Sequence, residues 1–193
     1  MRCKETCLAS LAQAAVALLL AAGPAAAQPM AKLVPGESRI AFVSKQMGVP
    51  VEGVFKRFDA QIAFDPKKPE NGSVALQIDT ASASIGVAPV DMELPKAVWF
   101  DVARFPKASF QSSAIKAMGD GRYEVLGKLS LKGHARELAV PVTIAQAEGK
   151  SVASGSFTLR RLEFQVGDGE WRDTAMVADE VQVRFKLTLS DGL

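Results

Sequence analysis

The chain has 193 residues, 23 of them basic and 21 acidic, and a formal net charge of +2. No run of five or six like charges occurs, which argues against nucleic-acid binding, because that rests on clustered Lys and Arg neutralising phosphates. The only two cysteines are Cys3 and Cys7 and the only histidine is His134, so thiolate or multi-imidazole metal sites and disulfide frameworks have almost no material to draw on.

Residues 1–27 have the pattern of a cleaved secretory signal. Arg2 and Lys4 give a basic start, Leu8 to Ala22 is apolar apart from Ser10 and Gln13, and Ala25-Ala26-Ala27 supplies small residues for cleavage before Gln28. The apolar run is short of the ~20 residues a helical membrane span needs, and no second such run follows. Both cysteines leave with this segment. The remaining 28–193 has 21 basic against 20 acidic residues and is expected to fold as a single domain.

Gln28 to Gly36 is expected as a short leader. Side-chain alternation then begins with Ile40 and Phe42 against Arg39 and Ala41, and breaks at Gly48 and Pro50. Val51 to Phe55 and Phe58 to Phe64 are the next predicted strands. Asp65-Pro66 onward to Gly72 is a turn, and Ser73 to Thr80 puts Val74, Leu76 and Ile78 on one side. From Ala83 to Pro106 the alternation fails, and the apolar spacing predicts short helical turns interrupted at Pro95.

The clearest segment is 107–144. Tyr123, Val125, Gly127, Leu129 and Leu131 fall on one face, with Glu124, Lys128, Ser130 and Lys132 on the other, and Leu138, Val140, Val142 and Ile144 repeat the pattern after the Lys132-Gly133 turn. Ala153 to Leu159 is a further strand and Phe164 to Thr174 a charged, Gly-rich loop. Val181, Val183, Phe185, Leu187 and Leu189 against Gln182, Arg184, Lys186, Thr188 and Ser190 form the closing strand. Consecutive strands with one wet and one dry face predict an all-β fold: an antiparallel barrel with a short helical insertion at one end.

Candidate chemistry is sparse. No Ser-His-Asp arrangement can be built without His134, which is expected as an exposed turn residue. Gly167-Asp168-Gly169-Glu170-Trp171-Arg172-Asp173 crowds three carboxylates; it reads as a charged surface turn with Trp171 over a barrel end, or as a gate at a pocket mouth. No catalytic residue, metal ligand or cofactor site is assigned. An eight-stranded barrel either fills itself or holds a small ligand. The dry faces offer Phe42, Phe58, Phe64, Leu76, Ile78, Phe100, Phe110, Val125, Leu129 and Phe157 as the lining of an apolar tunnel. Arg161 follows Phe157 and Leu159 in parity, where a charge needs a partner: a protein carboxylate such as Glu163, or the head group of a bound lipid.

Four motifs in order then resemble the YceI family: Ser38-x-Ile40-x-Phe42 with Gly53-x-Phe55-x-x-Phe58 and Ile62-x-Phe64-Asp65-Pro66; Trp99-Phe100-Asp101-Val102-x-x-Phe105-Pro106; Gly127-x-Leu129-Ser130-Leu131-Lys132-Gly133; and Gly155-x-Phe157-x-Leu159-x-Arg161-x-Glu163-Phe164. Gln46-Met47 stands where the family usually has a histidine after its first strand. The resemblance implies a lipocalin-like barrel, a periplasmic location and binding of a long-chain isoprenoid, quinone-like molecule or fatty lipid. The competing expectations are an enzyme acting on such a lipid, with Arg161, Asp168, Glu170 or Asp173 as acid, base or anchor, and a filled barrel serving as an interaction module. A homodimer is among the assemblies the sequence allows.

Overall fold

The computed structural model describes residues 30–147 and 149–190. The expected signal segment 1–27, with Cys3 and Cys7, lies outside the described residues. The described residues form eleven strands: β1 (Met30–Leu33), β2 (Arg39–Gln46), β3 (Val49–Phe55), β4 (Phe58–Ala63), β5 (Ser73–Asp79), β6 (Ala83–Ser84), β7 (Lys107–Gly119), β8 (Arg122–Leu131), β9 (His134–Ala147), β10 (Lys150–Arg160) and β11 (Glu180–Ser190). The helical interlude contains one short α-helix, α1 (Ala88–Asp91), followed by turns as far as Pro106. Every strand pairing is antiparallel.

The expected leader is in part a strand. Met30–Leu33 pairs with β4 on one side and with β11 on the other, and so closes the barrel. Four residues are too few for a period-two signal to stand out. β1 and β2 behave as one long strand interrupted by the 3₁₀ turn Pro35–Glu37. β3 and β4 are likewise halves of one strand split at Lys56-Arg57, and β5 and β6 halves of a third split at the 3₁₀ turn Thr80–Ser82. Counted this way, eight strands form a closed ring, because β11 pairs with β10 along one edge and with both β2 and β1 along the other.

The three interruptions share one seam, and side chains bond the backbone groups freed there. Arg57 N–H donates to Ser82 Oγ at 3.0 Å, and Ser82 Oγ donates to the Asp79 carbonyl at 2.7 Å. The Arg57 guanidinium bridges to Asp79 at 2.9 Å. At the first break Ser38 Oγ donates to the Val34 carbonyl and accepts from Thr188 N–H, while the Thr188 hydroxyl donates to the Glu37 carbonyl. Thr188, expected on the wet face of the closing strand, is therefore buried beneath this turn.

Tight two-residue turns join the long strands. Met47-Gly48, Asp120-Gly121 and Lys132-Gly133 all have positive φ at both positions, the backbone whose twist suits a hairpin and where glycine costs least. At the third turn the alternation expected of Lys132 fails. Its left-handed backbone turns the side chain inward, and Lys132 is buried rather than on the wet face. His134 is the half-buried first residue of β9, not a turn residue.

Candidate functional site: a hollow apolar interior

The dry faces converge on two cavities. The lower one, about 120 Å³ of space open to the centre of a water-sized sphere, is walled by Ile40, Ile62, Phe64, Leu76, Ile78, Phe110, Val125, Leu129, Phe157, Phe185, Leu187 and Leu189 among others. The upper one, about 130 Å³, lies under the helical interlude and is walled by Phe42, Ser44, Gln46, Val51, Phe55, Val90, Leu94, Trp99, Phe100, Leu131, Leu159 and Arg161 among others. Val183 of β11 borders both. A water needs about 10–15 Å³ of such space, so each cavity exceeds an ordinary packing defect, and an apolar cavity of this kind has little to hold water with.

Of the residues expected to line a tunnel, Phe64, Leu76, Ile78, Phe110, Val125, Leu129 and Phe157 border the lower cavity, and Phe42 and Phe100 the upper one. Phe58 lies elsewhere: it is half-buried at the seam and borders a separate hollow with Pro35, Arg39, Lys56 and Arg57. Phe58 keeps the inward parity of Ala60 and Ile62 and packs against the core, but as the first residue of β4 it sits at the seam rather than beside either cavity.

Three strand glycines lie where aromatic rings need room. A Cβ on Gly53 would stand 2.2 Å from the Phe42 ring, one on Gly155 2.7 Å from the Phe185 ring, and one on Gly127 2.6 Å from the Phe110 ring. Each ring lies over a neighbouring backbone, which keeps large residues on the wall while the centre stays open. The upper wall continues as a row of rings, Phe42 to Phe55 at 5.4 Å and Phe55 to Phe100 at 5.8 Å between centroids.

Arg161 differs from expectation. β10 ends at Arg160, and Arg161 opens a 3₁₀ turn, Arg161–Phe164, at the upper end of the barrel. Only 3% exposed, it has no carboxylate partner, and although it borders the upper cavity it has no N–H left for a head group. Its five N–H donors all go to backbone carbonyls: Nε to Ala178, Nη1 to Val166 and Gly167, and Nη2 to Trp171 and Val177, at 2.6–3.0 Å. Glu163, the carboxylate nearest in sequence, pairs with Arg136 instead. Burial lowers the affinity of the Arg161 guanidinium for its proton, and Asp179 partly offsets this. Gly167 is fixed by the arrangement: it has φ of +71°, and a Cβ would stand 2.6 Å from Arg161 Nη1.

Lys132, which sequence parity missed, does similar work. Its ammonium donates to the Gln165 carbonyl at 2.6 Å and the Val98 carbonyl at 3.2 Å, and burial lowers its pKa, with Asp101 and Asp168 opposing. The two cations tie the 165–178 loop to the barrel end. Trp171 packs on Trp99 with centroids 5.5 Å apart, so this loop covers the barrel end.

The loop carboxylates border neither cavity. Asp168 pairs with Arg172 at 2.9 Å, and this hydrogen bond holds its carboxyl below the ordinary range. Asp173 accepts from the Ala175 N–H. Among the described residues, no three His, Cys, Asp or Glu side chains gather as a metal site, and no helix is long and apolar enough to cross a membrane.

The described residues thus form a closed antiparallel barrel with an apolar hollow and a turn-rich cover at one end. Residues 32–189 match the model of the YceI-like domain, and the chain belongs to that family. It is 33% identical over 141 residues to a UPF0312 protein of Pseudomonas savastanoi pv. phaseolicola, covering 71% of this chain and 72% of that one. Among solved structures it is similar to BcnA of Burkholderia cenocepacia, with 44% identity, a TM-score of 0.79, and coverage of 81% of this chain and 99% of that one. A polyisoprenoid binding domain from Saccharophagus degradans shares the fold at 15% identity, with a TM-score of 0.66 and coverage of 83% and 97%.

Proposed function

We propose that the protein is a periplasmic carrier or store that holds a long-chain isoprenoid, a quinone-like molecule or a comparable lipid inside its barrel, and that it is not an enzyme. The observation that carries this reading is the pair of cavities walled almost entirely by aliphatic and aromatic side chains, with Val183 bordering both. The family membership and the polyisoprenoid-binding description of the Saccharophagus neighbour support it. The enzyme alternative lacks support, since Asp168 is paired with Arg172, Asp173 accepts from a backbone N–H, and none of the loop carboxylates borders the hollow. A filled barrel is disfavoured by the open volume.

The mechanism is shielding. Apolar surface removed from water gains about 25 cal/mol per Å². A ligand of about forty heavy atoms at ~0.3 kcal/mol per atom gains on the order of 12 kcal/mol with no catalytic group or metal required. Because Trp99 borders the upper cavity, titrating lipid-stripped protein with a long-chain quinone is expected to quench tryptophan fluorescence saturably at one equivalent. Quenching that never saturates, together with protein purified free of any lipid, would count against the reading.

A further inference from the structure

The inward face of β2 changes character along its length. Ile40 borders the lower cavity, and Phe42, Ser44 and Gln46 border the upper one. Ser44 Oγ is fully shielded from solvent and has no hydrogen-bond partner. A buried hydroxyl without a partner is uncommon and costly, and most are satisfied by protein or water. The nearby cations do not fill the gap, because Arg161 spends all five donors on carbonyls and Lys132 is engaged with Val98 and Gln165.

We infer that Ser44 is the hydrogen-bond donor for the polar end of the bound lipid, and that it selects a neutral, oxygen-bearing head such as a quinone carbonyl, a phenol or an alcohol, with the chain running down past Ile40 into the lower cavity. This rests on the lipid-binding reading above. A phosphate or carboxylate head calls for several charge-assisted donors, and burying it with one hydroxyl leaves most of its charge unpaired. A neutral oxygen needs only one donor. The buried Arg161 charge favours the negative end of a carbonyl dipole without offering it an N–H.

The test uses the lipid-stripped mature protein and three probes with the same chain, decylubiquinone, decylbenzene and decyl phosphate, each competing against a fluorescent fatty acid. Wild type is expected to bind decylubiquinone roughly tenfold more tightly than decylbenzene, the worth of about one net hydrogen bond. Decyl phosphate should be the weakest. Ser44→Ala should remove the quinone advantage, leave decylbenzene unchanged, and melt in its empty form no lower than wild type, since it loses an unsatisfied group. Ser44→Thr, which keeps the hydroxyl, should restore the advantage. Equal weakening of all three probes by Ser44→Ala, an unchanged quinone advantage, or tightest binding of decyl phosphate would each overturn the inference while leaving lipid binding intact. Failure of wild type to bind any probe would overturn the lipid-binding reading itself, and the role of Ser44 with it.

Discussion

The ring of Phe42 occupies the space above its cross-strand partner Gly53, where a Cβ would stand 2.2 Å from the ring tip. Phe185 sits in the same way over its partner Gly155. Inward-facing phenylalanines would ordinarily meet at the centre of an eight-stranded barrel and fill it. Here the missing side chains on adjacent strands let the rings settle against the wall, and the hollow follows from these pairs.

Substitution at the two glycines should therefore differ in kind. Gly53→Ala meets only ring atoms of a side chain that can turn. It is expected to push Phe42 into the upper cavity, cost about 1–3 kcal/mol of stability and weaken lipid uptake. Gly155→Ala places its Cβ 2.2 Å from the Pro141 carbonyl, which is backbone, and should be the more destabilising of the two. Chemical denaturation of both variants, with lipid uptake measured on Gly53→Ala, checks this; equal stability losses would contradict it.

Most of the barrel was legible in the sequence because its strands carry one wet and one dry face over seven or more residues, as β8 and β11 do. Nine of the ten expected wall residues border the cavities, seven of them from strands, with Phe64 just past β4 and Phe100 in the helical interlude. What escaped detection lies where alternation is cut. β1 is too short to show a period, Phe58 has the expected parity but sits at the seam end of β4, and Lys132 sits at a left-handed turn position. Arg161 lies one residue beyond the strand whose parity was extended to it, and its carbonyl partners leave no trace in a sequence, since every residue has one. Ser44 was readable in principle, two residues beyond Phe42 on the same face, but its lack of a partner appears only in three dimensions.

Arg161 is expected to be structural rather than ligand-binding. Arg161→Met leaves five carbonyls of the 166–178 segment without their donor, at a cost of about 1–3 kcal/mol for each that water cannot reach. The empty protein should lose at least about 3 kcal/mol. Arg161→Lys should recover little of this, because an ammonium has three donors and no planar fork. Denaturant midpoints of the lipid-free proteins measure the effect; a midpoint near wild type for Arg161→Met would refute it.

Acid should loosen the seam and the tie between α1 and β6. The Arg57 hydrogen bond, with help from Ala81 N–H, holds Asp79 below the ordinary aspartate value of 3.8, and bonds from Ser84 Oγ and Ile85 N–H do the same for Asp91. The folded protein therefore resists protonation that the unfolded chain accepts. The stabilisation is complete above the unfolded value and is lost as pH falls from there through the lower folded values. Both carboxylates are partly exposed, so the effect is modest and weakens with salt. Stability measured from pH 5 down to about 2 should fall less steeply in Asp79→Asn than in wild type; identical slopes would show that Asp79 contributes nothing.

Occupancy of the hollow is tested most directly by native mass spectrometry of the purified protein. Wild type is compared with Ala153→Phe, which builds a ring into the lower cavity from a buried wall position. Wild type is expected to carry one apolar molecule that organic extraction removes and lipid incubation restores, while Ala153→Phe, shown by its melt to be folded, carries little or none. A wild-type mass equal to the bare polypeptide even after incubation with excess isoprenoid lipid, or full loading of a folded Ala153→Phe, would contradict lipid storage in the barrel.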